Sequence, residues 1–468
     1  MNGEAAQAWL AQGRAHLAGG RHMPAVEALQ QASHAQPLNP EIYRWLAQAM
    51  EAMGQAADAL SARLACEALE RKSAEDLYGI GRSYARHNQW AAAGYWFQRA
   101  LLLDPDMVYA YLYMGMALRE TGHLAESESY SHNACLRQSL FIDEALPTQR
   151  RSVLVLCTSR NDNVPVQFLL PKQRNRQIRW AIEYGLVGPV RELPPHDLVF
   201  NVVGEADSAQ ASHDAVANYI ADIDKPVLNL PARITLTSRD RMPGLLADID
   251  GVCMPPAVRH RPAQGLGLPQ AIERAGLAYP VTVRPVGRHG GQGLERLDTP
   301  QDAAAHPRAD GDLYLSQYCD YRSPDGCFRK YRVVLVDGEP WPYHLAVGDR
   351  WVLHYVTADM TAAPWKTEEE RRFLDDPEAV LGTRAWQALR EIGRRLGLDY
   401  CGVDFAVLPD GRLLVFEANA TMLVHPEEEG DAALRFKNPY VQRIVDAFDR
   451  MLERRQAQAR GRPLAPAA

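Results

Sequence analysis

A period of 34 residues runs through the first third of the chain. Self-similarity of this kind constrains a fold more tightly than any single motif, because each repeat must be one small unit that buries its apolar face on the next. Trp9, Tyr43, Leu77 and Tyr111 stand 34 apart. Four residues later come Gly13, Ala47, Gly81 and Gly115, then a turn register at Gly20, Gly54, Asn88 and Gly122. Small residues follow at Ala25, Ala59, Ala93 and Ser127, and seven later at Ala32, Cys66, Ala100 and Ala134. A large and a small residue four apart share one helix face. Small residues on both helices of a unit let the two run antiparallel in close approach. Pro37 and Pro105 end their units, where proline cannot continue a helix.

The pattern resembles the tetratricopeptide repeat (TPR), in four copies over 6–39, 40–73, 74–107 and 108–141. The resemblance implies an all-α solenoid whose concave face takes a peptide or protein partner. A dimerisation or packing module is the other use of such an array. Arg71 stands where the second unit would have its proline, and the fourth unit lacks one too, so the array is expected to end as a cap packed on the next domain. Tyr84, Trp90, Tyr95, Trp96, Tyr111 and Tyr113 read by spacing as framework.

The texture changes near Pro147. SVLVLCTS (152–159), HDLVFNVVG (196–204) and KPVLNL (225–230) read as strands, with helices at QRNRQIRWAIEYGL and SHDAVANYIADI between them. This alternation predicts a small parallel α/β domain over 150–232. From 233 to 455 the pattern becomes α+β. TSRDRMPGLLADI reads as a helix. VTVRPV, LYLSQYCDY, RKYRVVLVDGEPWPYHLAV, WVLHYVTADM, DYCGVDFAVL and RLLVFEANA read as strands. TRAWQALREIGRRLG is an amphipathic helix, KNPYVQRIVDAFDRMLERR a terminal one, and 456–468 a flexible tail.

Charge and composition exclude several classes. Lys+Arg is 51 against 58 Asp+Glu, a net charge of −7, with no basic stripe for nucleic acid. No window is apolar enough for a membrane helix, and MNGEAAQAWLAQGRAHL lacks the apolar core of a secretion signal. Cysteines 66, 135, 157, 253, 319, 327 and 401 include no CxxC pair, as expected of reduced thiols in a cytoplasmic protein.

Two features carry chemistry. Asp410-Gly411 is a two-residue hairpin signal, and that turn sets Asp404 opposite Glu417, with Asn419 on the same face. Their neighbours are apolar, so the hairpin is expected to be buried. Two facing carboxylates and an amide oxygen are hard ligands suited to magnesium carrying nucleotide phosphates. A shared proton, or pairing with a nearby Lys or Arg, would answer the same pattern. The second feature is a loop with Gly287, Gly290, Gly291 and Gly293 between two strands, preceded by Arg284. Its backbone N–H groups can face an anion, and Arg284 can grip a phosphate. A ligand-free glycine hairpin is the alternative. The loop is neither a Walker loop nor a dinucleotide fingerprint, because neither Gly-Lys-Ser/Thr nor a helix follows.

VTVRPVGRHGGQG (281–293), LYLSQYCDY (313–321), YRVVLVDGEP (331–340), GVDFAV (402–407) and VFEANA (415–420) follow one another in the order of the ATP-grasp superfamily, which this half resembles over about 150–455. By that resemblance 150–232 is the pre-ATP-grasp domain and 233–455 the catalytic one. Asp404, Glu417 and Asn419 match the magnesium ligands. Arg284 and Arg241 stand at the two positions where the family usually has a phosphate-binding Lys. Gly290, Gly291 and Gly293 match the phosphate loop, which His289 also occupies. Gln317, Tyr318 and Cys319 match the linker whose backbone reads adenine, and Asp320 is placed at the ribose. Arg332 matches a basic residue facing the phosphates or acyl phosphate. His344 and His354 stand near a family Arg that points toward substrate. The implied activity is an ATP- and magnesium-dependent carboxylate–amine ligase, acting on small molecules or peptides through an acyl phosphate and ADP. A nucleotide-binding scaffold with little catalysis is the alternative, and a kinase on the same fold a third.

Overall fold

A computed structural model describes residues 2–160, 163–207, 209–262, 265–288, 290–307, 311–427 and 432–461. Backbone contacts divide the chain into two units: Met1–Leu140 with Ser159–Asn161 and Tyr184–Arg191, and the remainder.

The first unit holds eight helices among its described residues: α1 (Asn2–Ala18), α2 (His22–Ala35), α3 (Pro40–Ala52), α4 (Ala56–Glu70), α5 (Ala74–Arg86), α6 (Trp90–Leu103), α7 (Val108–Glu120) and α8 (Leu124–Arg137). The starts of α3, α5 and α7, and those of α2, α4, α6 and α8, keep the 34-residue step. The turn register is a conformational requirement: Gly20, Gly54, Asn88 and Gly122 have φ of 68°, 75°, 57° and 86°. Glycine enters that left-handed region freely, and asparagine does so more readily than most residues. The small register is a steric one. A Cβ on Gly81 would lie 2.5 Å from Phe97, and one on Gly13 2.6 Å from Leu29. Tyr95 and Trp96 interlock edge to face at 4.9 Å, as framework. The last helix is met by Tyr184, whose hydroxyl lies 2.6 Å from His132 Nδ1, while Ser139 Oγ donates to Gly185 O at 2.6 Å.

The second unit opens with a sheet of β1 (Leu140–Ile142), β2 (Arg151–Cys157), β3 (Asn175–Ala181), β4 (Leu198–Asn201) and β5 (Val227–Leu228), in the order β1-β3-β2-β4-β5. The pairs β2–β3, β2–β4 and β4–β5 are parallel. The helix expected at QRNRQIRWAIEYGL is instead β3 and one short turn. Its apolar residues also alternate, and β2 has an edge to fill. Of the polar residues turned inward, Gln177 is satisfied locally, its Nε2 donating to Leu170 O at 2.8 Å.

Beyond it, β6 (Val252–Cys253), β7 (Ala257–His260), β8 (Val281–Pro285), β9 (Glu295–Leu297), β10 (Leu313–Gln317), β11 (Phe328–Val336), β12 (Glu339–Gly348), β13 (Tyr400–Val407) and β14 (Leu413–Asn419) form two sheets. The smaller runs β7-β10-β8-β9, the larger β12-β11-β13-β14-β6. The helix expected at TSRDRMPGLLADI is short turns, becoming helical only over Met242–Leu246.

The strand expected at WVLHYVTADM is a loop with one turn, Tyr355–Thr357. The outer edge of β12 explains this. Leu345 N donates to Glu370 Oε1 at 3.2 Å and Val347 N to Met360 Sδ at 3.3 Å, so side chains occupy edge positions another strand would pair with.

The helices Thr383–Leu396 and Asn438–Ala459 form as expected. Phe448 of the latter packs on Phe200 and Tyr400, at 5.4 and 5.8 Å between rings. The tail expected from 456 is helical to Ala459, and 462–468 lie outside the described residues. No helix among the described residues is long and apolar enough to cross a membrane.

Candidate active site

The hairpin β13–β14 differs from expectation twice, and the differences cancel. Its loop has three residues, Pro409, Asp410 and Gly411. Leu408 N donates to Arg412 O and Gly411 N to Leu408 O, both at 2.9 Å, with Gly411 at φ 80°. A type I turn followed by a left-handed residue makes this loop. The register moves by one, pairing Val407 with Leu413 and Phe405 with Val415. A bulge at Phe416 moves it back, so Asp404 faces Glu417 and Gly402 faces Asn419.

His344, Arg332, Asp404 and Glu417 are register partners on four adjacent strands, a polar row across an apolar sheet. Arg332 grips Asp404 with two bonds, Nε to Oδ1 at 2.5 Å and Nη2 to Oδ2 at 2.8 Å. Lys330, two residues back on the same strand, puts Nζ 3.3 Å from Oδ2. Glu417 takes the guanidinium of Arg239, which also donates to Phe416 O at 3.2 Å. Burial pushes the Asp404 carboxyl up, but Arg332 and Lys330 outweigh it and hold the group well below the usual carboxylate range. Glu417 also ends below its ordinary value: burial raises it, Arg239 lowers it more. A shared proton is therefore not the state of this pair. Each carboxylate has its own cation.

Arg284, in β8, is the least satisfied of the cations. One Nη donates to Arg288 O, while Nε is buried with no partner among the described residues. Burial, then the nearby Arg239, bring its guanidinium down to about 10, with Glu417 pulling the other way. Arg241 sits exposed at the start of the helix Met242–Leu246. Arg239, two residues earlier, reaches the site instead.

A cleft open to solvent is lined by Arg239, Glu417 and Asn419 together with Glu205, Asp207 and Tyr314. Tyr314 donates to Asp207 at 2.5 Å. Neither these three nor Arg239 and Lys330 stand out in the sequence. A two-residue step from Arg332 along a strand would have found Lys330.

The glycine loop joins β8 to β9, and Gly287, Gly290, Gly291 and Gly293 all have positive φ, from 63° to 77°. His289 lies outside the described residues. Of the linker, Gln317 and Tyr318 spend their backbone N–H groups on Pro256 O and Pro280 O, at 3.2 and 3.1 Å. Cys319 is half-buried, its thiol pushed up by burial and then by Cys253. Asp320 is exposed and accepts from Arg322 N at 3.0 Å. His344 is buried and well below its ordinary pKa, by burial and then by Arg332, hence neutral. His354 is lowered by burial and then by Lys330.

The donor set fits magnesium in chemistry. Two carboxylates and an amide oxygen are hard ligands, leaving further positions to water or phosphate. No group of three or more His, Cys, Asp or Glu able to hold a metal occurs among the described residues. Each oxygen group is also engaged: Asp404 by Arg332, Glu417 by Arg239, and Asn419 Oδ1 by Thr421 N at 2.8 Å and Thr421 Oγ1 at 2.7 Å. A cation entering here must exchange with guanidinium groups.

No protein-family model and no curated protein matches the chain. Solved structures do. A D-alanine–D-alanine ligase from Coxiella burnetii is 13% identical, over 57% of this chain and 72% of its own, with a TM-score of 0.34. A RimK-domain ATP-grasp protein from Sphaerobacter thermophilus is 17% identical over 62% and 98%, with a TM-score of 0.35. The ATP-grasp ligase PsnB, in complex with a precursor peptide and AMPPNP, is 12% identical over 66% and 99%, with a TM-score of 0.38. Likenesses this slight carry no weight for function, which has to rest on the residues of this chain.

Proposed function

We propose that the second unit is an ATP-grasp ligase that uses ATP and magnesium to join a carboxylate to an amine. We also propose that the helical unit is a TPR array, which recruits a peptide or protein partner. The observation that carries the first reading is Arg284: a buried guanidinium nitrogen with no partner among the described residues, near a second arginine, Arg239, and the carboxylate of Glu417. Cations gathered this way suit a polyanion.

Asp404, Glu417 and Asn419 would hold magnesium, which would supply charge neutralisation to phosphates. Arg239 and Arg332, exchanged from their carboxylates, would join Arg284 on the phosphate oxygens. That arrangement neutralises the group passing to the substrate carboxylate. The glycine loop would cover the cleft and keep water from the acyl phosphate until the amine attacks. Cys319 and Asp320 are the linker residues left to face a base, since Gln317 and Tyr318 spend their N–H groups in the fold. No protein nucleophile is needed. Cys401, behind the row, is buried and its thiol pushed up to about 12, which makes it inert.

The test is ADP release and new amide masses from the full chain with ATP, magnesium and cell extract. Glu417→Ala should lower extract-dependent ADP release by about 100-fold or more. Tight nucleotide binding without ADP release would favour the scaffold reading, which the carboxylate–arginine pairs also suit. A stable phosphorylated product would indicate a kinase.

A further inference from the structure

The segment Asp349–Thr357 has the composition of a strand, but it joins no sheet. It touches the glycine loop and linker of the smaller sheet and the outer edge of the larger sheet instead. On the side of the smaller sheet, Gly291 comes so close to Val352 that a Cβ there would lie 3.2 Å from its Cγ1. A Cβ on Gly290 would lie 3.7 Å from His354 Nε2. Trp351 meets Tyr318 of the linker edge to face at 5.6 Å, and its carbonyl accepts from Tyr321 Oη at 2.5 Å. On the side of the larger sheet, Tyr355 Oη donates to Glu370 Oε2 at 2.9 Å. The ring of Tyr355 lies edge-on to His344 at 4.6 Å, with Lys437 Nζ 4.0 Å over it. Glu370 is wholly buried, and its other oxygen accepts from Leu345 N of β12.

We propose that Asp349–Thr357 is a clasp that holds the glycine loop down, with Tyr355 and Glu370 as the positioning residues that anchor it. Each contact has a distinct part. Gly291 lets the loop backbone lie close to Val352, where a Cβ would crowd it, while Gly290 lies within ordinary contact of His354. Tyr355 fixes the next turn to the rigid sheet through a hydrogen bond to a buried carboxylate, which is costly to leave unmade. The glycine loop thus owes its position to a loop of the other sheet as well as to its own strands. That this loop covers phosphates rests on the function proposed above. The clasp itself does not.

Limited trypsin digestion of the full chain tests it. Arg288 is exposed and within the glycine loop, so cleavage after it, followed by mass, reports how firmly the loop is held. Val352→Ser alters a partly exposed side chain that touches the loop and should not threaten folding. Tyr355→Phe removes the anchoring bond alone. Both should speed cleavage after Arg288 by about tenfold, with cleavage in the helical unit unchanged. Wild-type rates in Val352→Ser would overturn the proposal whatever Tyr355→Phe does. Acceleration at every site alike in Tyr355→Phe, with the melting temperature lowered, would remove that residue's positioning role. AMPPNP with magnesium should slow the same cut in the wild type. No slowing there, with both variants still faster, would count against the nucleotide reading and leave the clasp standing.

Discussion

Buried carboxylates in this protein are handled in two opposite ways. Asp404 and Glu417 lie against guanidinium groups and are held below their ordinary range. Their contribution to stability is present above the unfolded carboxylate range and lost as pH falls from there through their lower folded-state values. Glu370 faces Lys437, Tyr355 Oη, the Leu345 amide and, further off, Glu427. Burial, with Glu427 acting in the same direction, outweighs the other three and pushes it up from 4.5 to about 7. The native state therefore keeps this proton where the unfolded chain loses it. Stability from Glu370 is complete below pH 4.5, drains away up to about pH 7 and is level above. Glu370→Gln, which mimics the protonated acid, should melt closer to the wild type at pH 5 and above it at pH 8. An equal difference at both values would sink this account. At this scale the sequence is partly legible. The two facing carboxylates stand out because charge inside an apolar hairpin is rare. Arg239 does not, since Arg241 looks the same on paper and the turn that separates them is decided by distant packing. Glu370 looks like one acid in a charged helix.

Elements are legible where a pattern has one solution. The helical hairpins are, because a turn with positive φ and a small residue against its partner helix repeat in step. The two demands can be separated by mutation. Gly54→Ala meets no atom within 4 Å and should cost only the backbone's left-handed geometry, about 1–2 kcal/mol. Gly81→Ala keeps ordinary φ but drives into Phe97, which also costs about 1–3 kcal/mol. Chemical denaturation should show both losses, and Gly54→Ser should match Gly54→Ala, while Phe97→Leu should relieve Gly81→Ala but not Gly54→Ala. Relief of both, or of neither, would contradict this division. Strands are legible in kind and not always in place. β3 reads as a helix because its apolar residues satisfy both periods. The segment after β12 reads as a strand because nothing local reveals that Glu370 and Met360 already occupy the edge. The facing of Asp404 and Glu417 is reached from sequence through a turn one residue too short and without the bulge that compensates for it.

In the whole molecule the chain divides more finely than its repeats suggest, since Tyr184–Arg191 belongs with the helical unit although it follows β3 in sequence. The change from helices to mixed strands and helices can be read from texture, but this return of the chain cannot, because it depends on single contacts such as Ser139 with Gly185. The charge pattern of the second unit has a further consequence. Because Arg332 and Arg239 already neutralise Asp404 and Glu417, a bare divalent ion must expel two bound cations to enter, and a bare polyphosphate must draw the arginines off their acids. Either ligand alone leaves charge uncompensated, and the two together leave none. Their affinities are therefore tied in a mutual obligation, each raising the other by the same factor. Magnesium alone or ATP alone should move the melting temperature little, and the pair together by several times the sum. On the function proposed above, the ion pairs at rest would work as an interlock that admits magnesium and a polyphosphate as one.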